Sequence, residues 1–113
     1  MKNVILQTEQ LIKAIETSNE YAQYQMLQNT ITKDDGVYQR LNEFRRRNFE
    51  IQMNTQVNAI DESANLYQQY QDVLNRPEIK EFLSAEQRYI RMIRQIYRTI
   101  DENVNMNIDF LEE

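Results

Sequence analysis

Four arginines follow one another at steps of three or four residues near the end of the sequence, and no acidic residue lies between Gln87 and Ile100. On an α-helix with about 100° per residue they fall within roughly 120° of one another. Such a row of guanidinium groups can bind the phosphates of a nucleic acid or the carboxylates of an acidic protein. It can equally be a solvated or intersubunit face that pairs with the chain's excess carboxylates. We call Arg88, Arg91, Arg94 and Arg98 the arginine stripe.

Acidic residues are the second group that could do chemistry. Glu86 stands at an apolar-stripe position between Phe82 and Tyr89, so we expect it either at the edge of a helix seam or buried and paired with an arginine. A catalytic role would need a second group and a substrate pocket, and the sequence suggests neither. Helical di-metal sites need histidine or four inward carboxylates. We therefore interpret the adjacent acidic pairs as helix caps and solvated surface: Asp34/Asp35, Asp61/Glu62, Asp101/Glu102 and Glu112/Glu113.

Composition excludes several classes of function. The 113 residues include no Cys and no His, which removes zinc fingers, cysteine-ligated iron–sulfur clusters, disulfides and histidine catalysis. Gly36 is the only glycine, too few for a phosphate-binding glycine loop. A net charge of -5 opposes non-specific nucleic-acid binding, so direct contact with nucleic acid is not the favoured expectation. No run approaches 18 apolar residues and no secretory segment is evident. We expect a cytoplasmic, non-enzymatic protein with no membrane contact, cofactor or metal.

Apolar residues at helical spacing predict the elements that position these groups. The first long helix is expected over residues 3–29 and the second over residues 35–57. A short helix follows Asp61 and ends near Leu74, and a long last helix runs from Pro77 to the end. The predicted fold is an all-α helical bundle or hairpin of two long helices, one short helix and a long C-terminal helix, in a single domain over residues 1–113.

The length of the last helix predicts self-association. A continuous helix from Pro77 would be about 50 Å long at 1.5 Å per residue, more than the shorter helices can cover. We expect Ile93 and Ile96 to be buried in the main seam, with the apolar residues beyond them exposed in a monomer. A symmetric dimer is favoured, with the C-terminal halves packed on each other or on the partner's first helix. The alternative is a frayed tail. The candidate oligomer seam is Ile100, Val104, Ile108 and Leu111.

Residues spread over nearly the whole chain carry a family resemblance: Ser18-Asn19-Glu20-Tyr21, Ile31, Asp34, Leu41, Phe44, Pro77, Glu78, Ile79, Phe82, Leu83, Ala85 and Glu86. Their order and spacing resemble the YlbF/YmcA-like family, which includes the YheA-type proteins. The resemblance implies an all-helical protein that forms homo- or hetero-oligomers and has no catalytic residues. Its best-known members are bacterial regulators that assist messenger-RNA processing and decay and influence competence, biofilm formation and sporulation. Some of them are associated with cysteine-bound iron–sulfur clusters, for which this chain has no ligands.

Three functions therefore stand as hypotheses from the sequence. The first is a non-enzymatic regulator or adaptor that offers helical surfaces to partner proteins, within an assembly for RNA processing or decay and developmental regulation. The second is a direct RNA-binding module that uses the Arg88–Arg98 stripe. The third is a purely structural oligomer.

Overall fold

The computed structural model describes residues 1–54, 58–104 and 109–111, and every regular element within these ranges is a helix. The all-α fold expected from the sequence is confirmed. No described helix is both long and apolar enough to cross a membrane. The elements are α1 (Lys2–Glu16), α2 (Asn19–Thr32), α3 (Asp35–Met53), α4 (Ala59–Gln69), α5 (Gln71–Leu74), α6 (Pro77–Asn103) and a short 3-10 helix (Asp109–Leu111).

The expected first helix over residues 3–29 is wrong, because it divides at Ser18 into α1 and α2. Ser18 has an extended backbone, with φ -71° and ψ 153°. Its hydroxyl donates to the Ile15 carbonyl at 2.6 Å and accepts from the Tyr21 N–H at 3.2 Å. Serine side chains compete in this way for backbone groups, and a serine that accepts from the first turn starts a new helix.

The starts of α3, α4 and α6 follow signals in the local sequence. Asp34 caps α3 by accepting from the Val37 N–H at 3.3 Å. The expected cap at Asp61 is wrong, because Asn58 accepts from the Asp61 N–H at 3.4 Å and Asp61 lies in the first turn of α4. Pro77 occupies the start of α6, where its missing N–H costs no hydrogen bond.

The last helix ends well before the C-terminus. The Asn103 side chain donates to the Thr99 carbonyl at 2.7 Å, an interaction that competes with continuation of the backbone ladder. With 27 residues α6 is about 40 Å long rather than about 50 Å.

The core lies where α2 and α6 pack antiparallel. Tyr24 stacks on Phe82 with ring centroids 5.7 Å apart, and the ring centroids of Tyr21 and Tyr89 are 5.6 Å apart. Residues later in α6 therefore contact residues earlier in α2, as in any antiparallel pair of helices. The α3–α5 segment closes the other side of this core. The main core cluster is Ile31, Leu41, Val73, Ile79 and Phe82, and a second cluster under α4 is Phe44, Leu66 and Tyr70.

Two parts of the chain project from this core. Among the described elements, α1 contacts only α2, and no α1 residue is buried. The distal part of α6 continues past the start of α2, and Ile93 and Ile96 are half-buried. Our expectation that they are buried is wrong, because α1 does not continue the contact of α2 with α6. The radius of gyration is 18.7 Å, against about 13 Å for a compact chain of similar length. The protein therefore exposes helix faces that a compact bundle would bury.

Candidate interaction surfaces

The distal α6 face carries the C-terminal part of the arginine stripe. Arg91, Arg94 and Arg98 are exposed and line a shallow depression together with Gln87, Ile90 and Gln95. Among the residues that the structure describes, none of these three guanidinium groups is paired with a carboxylate. Three neighbouring cations without a counter-charge can accept carboxylates or phosphates in bidentate geometry.

Arg88 is separated from the other three arginines. It donates to the Ser84 hydroxyl at 3.1 Å and to the side-chain amide oxygen (Oε1) of Gln23 in α2 at 3.2 Å. Only part of the arginine stripe therefore forms one exposed face. Arg88 connects α6 to α2 by a hydrogen bond, whereas Arg91, Arg94 and Arg98 face solvent.

Other arginines in the protein are neutralised by nearby carboxylates. Arg40 forms a bidentate pair with Asp72, at 2.7 Å from Nε and 3.0 Å from Nη2. This hydrogen bonding lowers the pKa of the Asp72 carboxyl. Arg76 pairs with Glu78 through Nε at 2.5 Å, and its Nη2 lies 4.0 Å from an Asp34 carboxylate oxygen. Within the described residues Arg46 and Arg47 of α3 also lack a carboxylate partner, so it is the grouping of three such guanidinium groups on one helix face that makes the distal arginines a candidate contact surface.

Glu86 is buried and paired with an arginine, one of the two placements that its sequence position predicts. It is 8% exposed and accepts from Arg45 of α3. The Arg45 guanidinium also lies 5.6 Å from the Phe82 ring centroid. Burial, and then the nearby Glu86 charge, raise the pKa of the Tyr24 phenol. The geometry gives Glu86 a structural task, joining α3 to α6 beside the core.

Two apolar faces of the protein lie uncovered, one on distal α6 beside the stripe and one on α1. On distal α6, Ile100 and Val104 are 50% and 76% exposed, and Leu111 beyond the helix is also exposed. Ile108, the fourth member of the candidate oligomer seam, lies outside the described residues. The second face is on α1 and includes Val4, Ile5, Leu11 and Ile12.

The helix boundary that leaves the α1 face uncovered is a feature that sequence reasoning missed, because the apolar period runs unbroken through Ser18. The consecutive cap-forming residues Thr17, Ser18 and Asn19 were the available signal of a helix boundary. With a helix boundary at these residues, the apolar pattern divides into a stripe on α2, which packs on α6, and a stripe on α1, which does not.

Neutralising the outer part of the stripe should leave the fold intact. Arg91→Gln/Arg98→Gln removes two exposed charges without a lost ion pair and keeps good helix formers. We expect a free energy of unfolding within about 0.5 kcal/mol of the parent protein, measured by urea titration. A larger loss would make these arginines structural and remove them as a contact surface.

Comparison with known proteins gives a consistent result. The sequence model of a family described as "Control of competence regulator ComK, YlbF/YmcA" matches residues 4–105. A UPF0342 protein of Caldicellulosiruptor bescii is 28% identical over 107 residues, covering 92% of this chain and 90% of that protein. UPF0342 proteins of Caldicellulosiruptor saccharolyticus and Desulfitobacterium hafniense are 27% and 29% identical, covering 94% and 85% of this chain and 91% and 80% of their own. No solved structure matches the chain significantly.

Proposed function

The chain belongs to the YlbF/YmcA family, and we propose that it is a non-enzymatic regulatory adaptor that acts in the cytoplasm through helical protein–protein surfaces. The family is described by control of a competence regulator, and neither that description nor the names of the relatives assign an enzymatic activity. Regulation without catalysis requires a surface that a partner can recognise.

The observation that carries this proposal is the set of exposed, unpaired arginines on distal α6. Within the described residues Arg91, Arg94 and Arg98 lack a carboxylate partner, although the whole chain has an excess of acidic groups. Cations that lack a counter-charge on an acidic chain favour binding to a partner that supplies the negative charge. We propose an acidic face of a regulatory protein as that partner.

Affinity capture from the native cell tests the adaptor role. The tagged parent protein is compared with Arg91→Gln/Arg98→Gln and with a control of equal charge change, Arg46→Gln/Lys80→Gln, whose residues are exposed on α3 and proximal α6. We expect recovery of the partner to fall at least tenfold for the stripe variant alone. Equal recovery with both variants, or no partner enriched by the parent protein, would contradict the proposal.

The finer proposal places this partner in an assembly for messenger-RNA processing and decay. It rests on the family resemblance, and it predicts that the captured proteins include a ribonuclease or a factor bound to one. The stripe variant should then lengthen transcript half-lives in the native cell while the control variant does not. Unchanged half-lives, with the partner lost, would keep the adaptor role and reject the RNA-decay setting.

Direct RNA binding is the alternative, and one observation favours it. Tyr97 is 69% exposed between the stripe residues in sequence, and an aromatic ring beside arginines can stack on an unpaired base. Three phosphate contacts to a single strand predict a slope of about −2 for the logarithm of affinity against the logarithm of salt concentration. A single-stranded RNA titration measures it, with the stripe and control variants in parallel. A flat salt dependence would reject this alternative.

A further inference from the structure

Three arginines of the stripe share a single depression on distal α6. We propose that this depression binds a phosphate monoester carried on a side chain of the partner protein, so that the partner is recognised in its phosphorylated form. The inference rests on the adaptor function proposed above and names the chemical group that the adaptor recognises. The depression is lined by Gln87, Ile90, Arg91, Arg94, Gln95 and Arg98.

The size of the depression favours a small group. Its volume is about 190 Å³. Sites for drug-sized ligands enclose about 300–1,000 Å³. Half-buried Ile90 gives the depression an apolar wall, and charge–charge attraction is stronger beside such a wall than in open water. The depression therefore suits one small anionic group, such as a phosphoryl group, rather than a whole nucleotide or cofactor.

Three guanidinium groups around one depression match a phosphate monoester better than a carboxylate. A carboxylate has one charge and two oxygens, which a single guanidinium group pairs in bidentate geometry. A monoester on a protein side chain has a charge of about −1.5 to −2 at pH 7 and three strong acceptor oxygens. Arg94 lies between the other two, about 4.5 Å along the helix axis from Arg91 and about 6 Å from Arg98. Long side chains from all three positions can therefore converge on one phosphoryl group.

The fold gives these three cations no other task. No basic residue lies in the last turn of α6, where it would complement the helix dipole. Among the carboxylates that the structure describes near them in sequence, Glu86 is already paired with Arg45, and Asp101 and Glu102 form no ion pair with the stripe. Neighbouring like charges repel one another, and a bound dianion would relieve that repulsion.

The composition of the chain makes the charge of the ligand visible as a pH dependence. The protein has no His and no Cys, so it lacks the side chains that ordinarily titrate between about pH 5 and pH 8. The N-terminal amine precedes α1, which does not contact α6. A phosphate monoester loses its second proton with a pKa of about 6, so its dianion fraction falls about fourfold between pH 7.5 and pH 5.5. Carboxylates and the phosphodiesters of RNA keep their charge over this range.

Titration with N-acetyl-phosphoserine amide at constant ionic strength, followed by the NMR shifts of the arginine Nε–H groups, tests the site. We expect saturable binding at pH 7.5, at least tenfold tighter than that of N-acetyl-glutamate amide and about fourfold weaker at pH 5.5. Arg94→Gln should weaken binding at least tenfold. The matched control is Arg46→Gln, an exposed cation of α3 outside the depression, and it should change binding less than twofold at equal helicity. Equal affinity for the two probes, equal losses in the two variants, or no saturation would overturn the proposal.

Capture from the native cell tests whether the phosphoryl group belongs to the partner protein. A desalted lysate is divided, and one half is treated with a broad-specificity phosphatase that is inhibited before the tagged protein is added. We expect recovery of the partner to fall at least tenfold after this treatment, as it does with Arg91→Gln/Arg98→Gln. Recovery that depends on the arginines but not on the phosphatase would overturn the phosphoryl proposal and leave the adaptor function standing. Recovery that depends on neither would contradict both.

Discussion

Replacing Phe82 with alanine should lower the free energy of unfolding by about 3–5 kcal/mol, the usual cost of removing a buried phenylalanine. The side chain is 1% exposed, stacks on Tyr24 of α2 and lies under the Arg45 guanidinium of α3. Its loss would open a cavity where three helices meet. Because domains are stable by only about 5–15 kcal/mol, the variant should melt at least about 10 °C lower. Urea and thermal unfolding followed by circular dichroism measure both quantities.

Phe49→Ala is the control for this experiment. It makes the same chemical change in α3 at a side chain that is 61% exposed, and surface changes of this kind stay within about 0.5 kcal/mol. Both variants must be compared at one protein concentration, because self-association, where it occurs, adds stability by mass action. Equal losses at the two positions would show that the α2–α6 seam is not the centre of the core.

Replacing Arg45 with methionine should destabilise the protein by about 1–3 kcal/mol, because it leaves the buried Glu86 carboxylate without its partner. The value lies below that of a fully enclosed ion pair, since 37% of the Arg45 side chain is exposed and water can reach the site. Methionine preserves the apolar stem, so the loss reports on charge rather than on packing.

The second half of this experiment is the double variant Arg45→Met/Glu86→Leu. Replacing both charges with apolar side chains removes the stranded carboxylate and should recover most of the lost stability. Arg40→Met, which breaks the exposed pair with Asp72, is the comparison and should cost less than Arg45→Met. If the double variant is no more stable than Arg45→Met, the two side chains do not act as a pair.

Much of the fold could be predicted from residue types. The spacing of apolar residues predicts helices without knowledge of which other helices they contact. Asp34 and Pro77 mark helix starts through local chemistry alone. Glu86 could be recognised as unusual because a carboxylate interrupted an apolar stripe. These features depend on interactions within a few residues, which a single sequence contains.

The remaining features depend on contacts between helices that are distant in the sequence. Ser18 divides the expected first helix through two hydrogen bonds that leave the apolar period unchanged, so periodicity could not reveal it. Ile93 and Ile96 have the pattern of core residues, yet they are half-buried because α1 turns away before reaching them. Arg88 looked equivalent to Arg91 on a helical wheel, and only the position of Gln23 on α2 distinguishes them.

The isolation of α1 has a consequence for how the protein behaves at different abundances. A helix of 15 residues without a buried side chain is marginally stable in water, because its own hydrogen bonds barely repay the cost of nucleation. Apart from its contact with α2, further stability would have to come from contacts with another molecule. Where that molecule is a second copy of this chain, such contacts strengthen with the concentration of the protein itself. In a cell holding few copies α1 would unwind often and be open to proteases, whereas in one holding many it would stay ordered. The amount of the protein would then govern the lifetime of its own first helix.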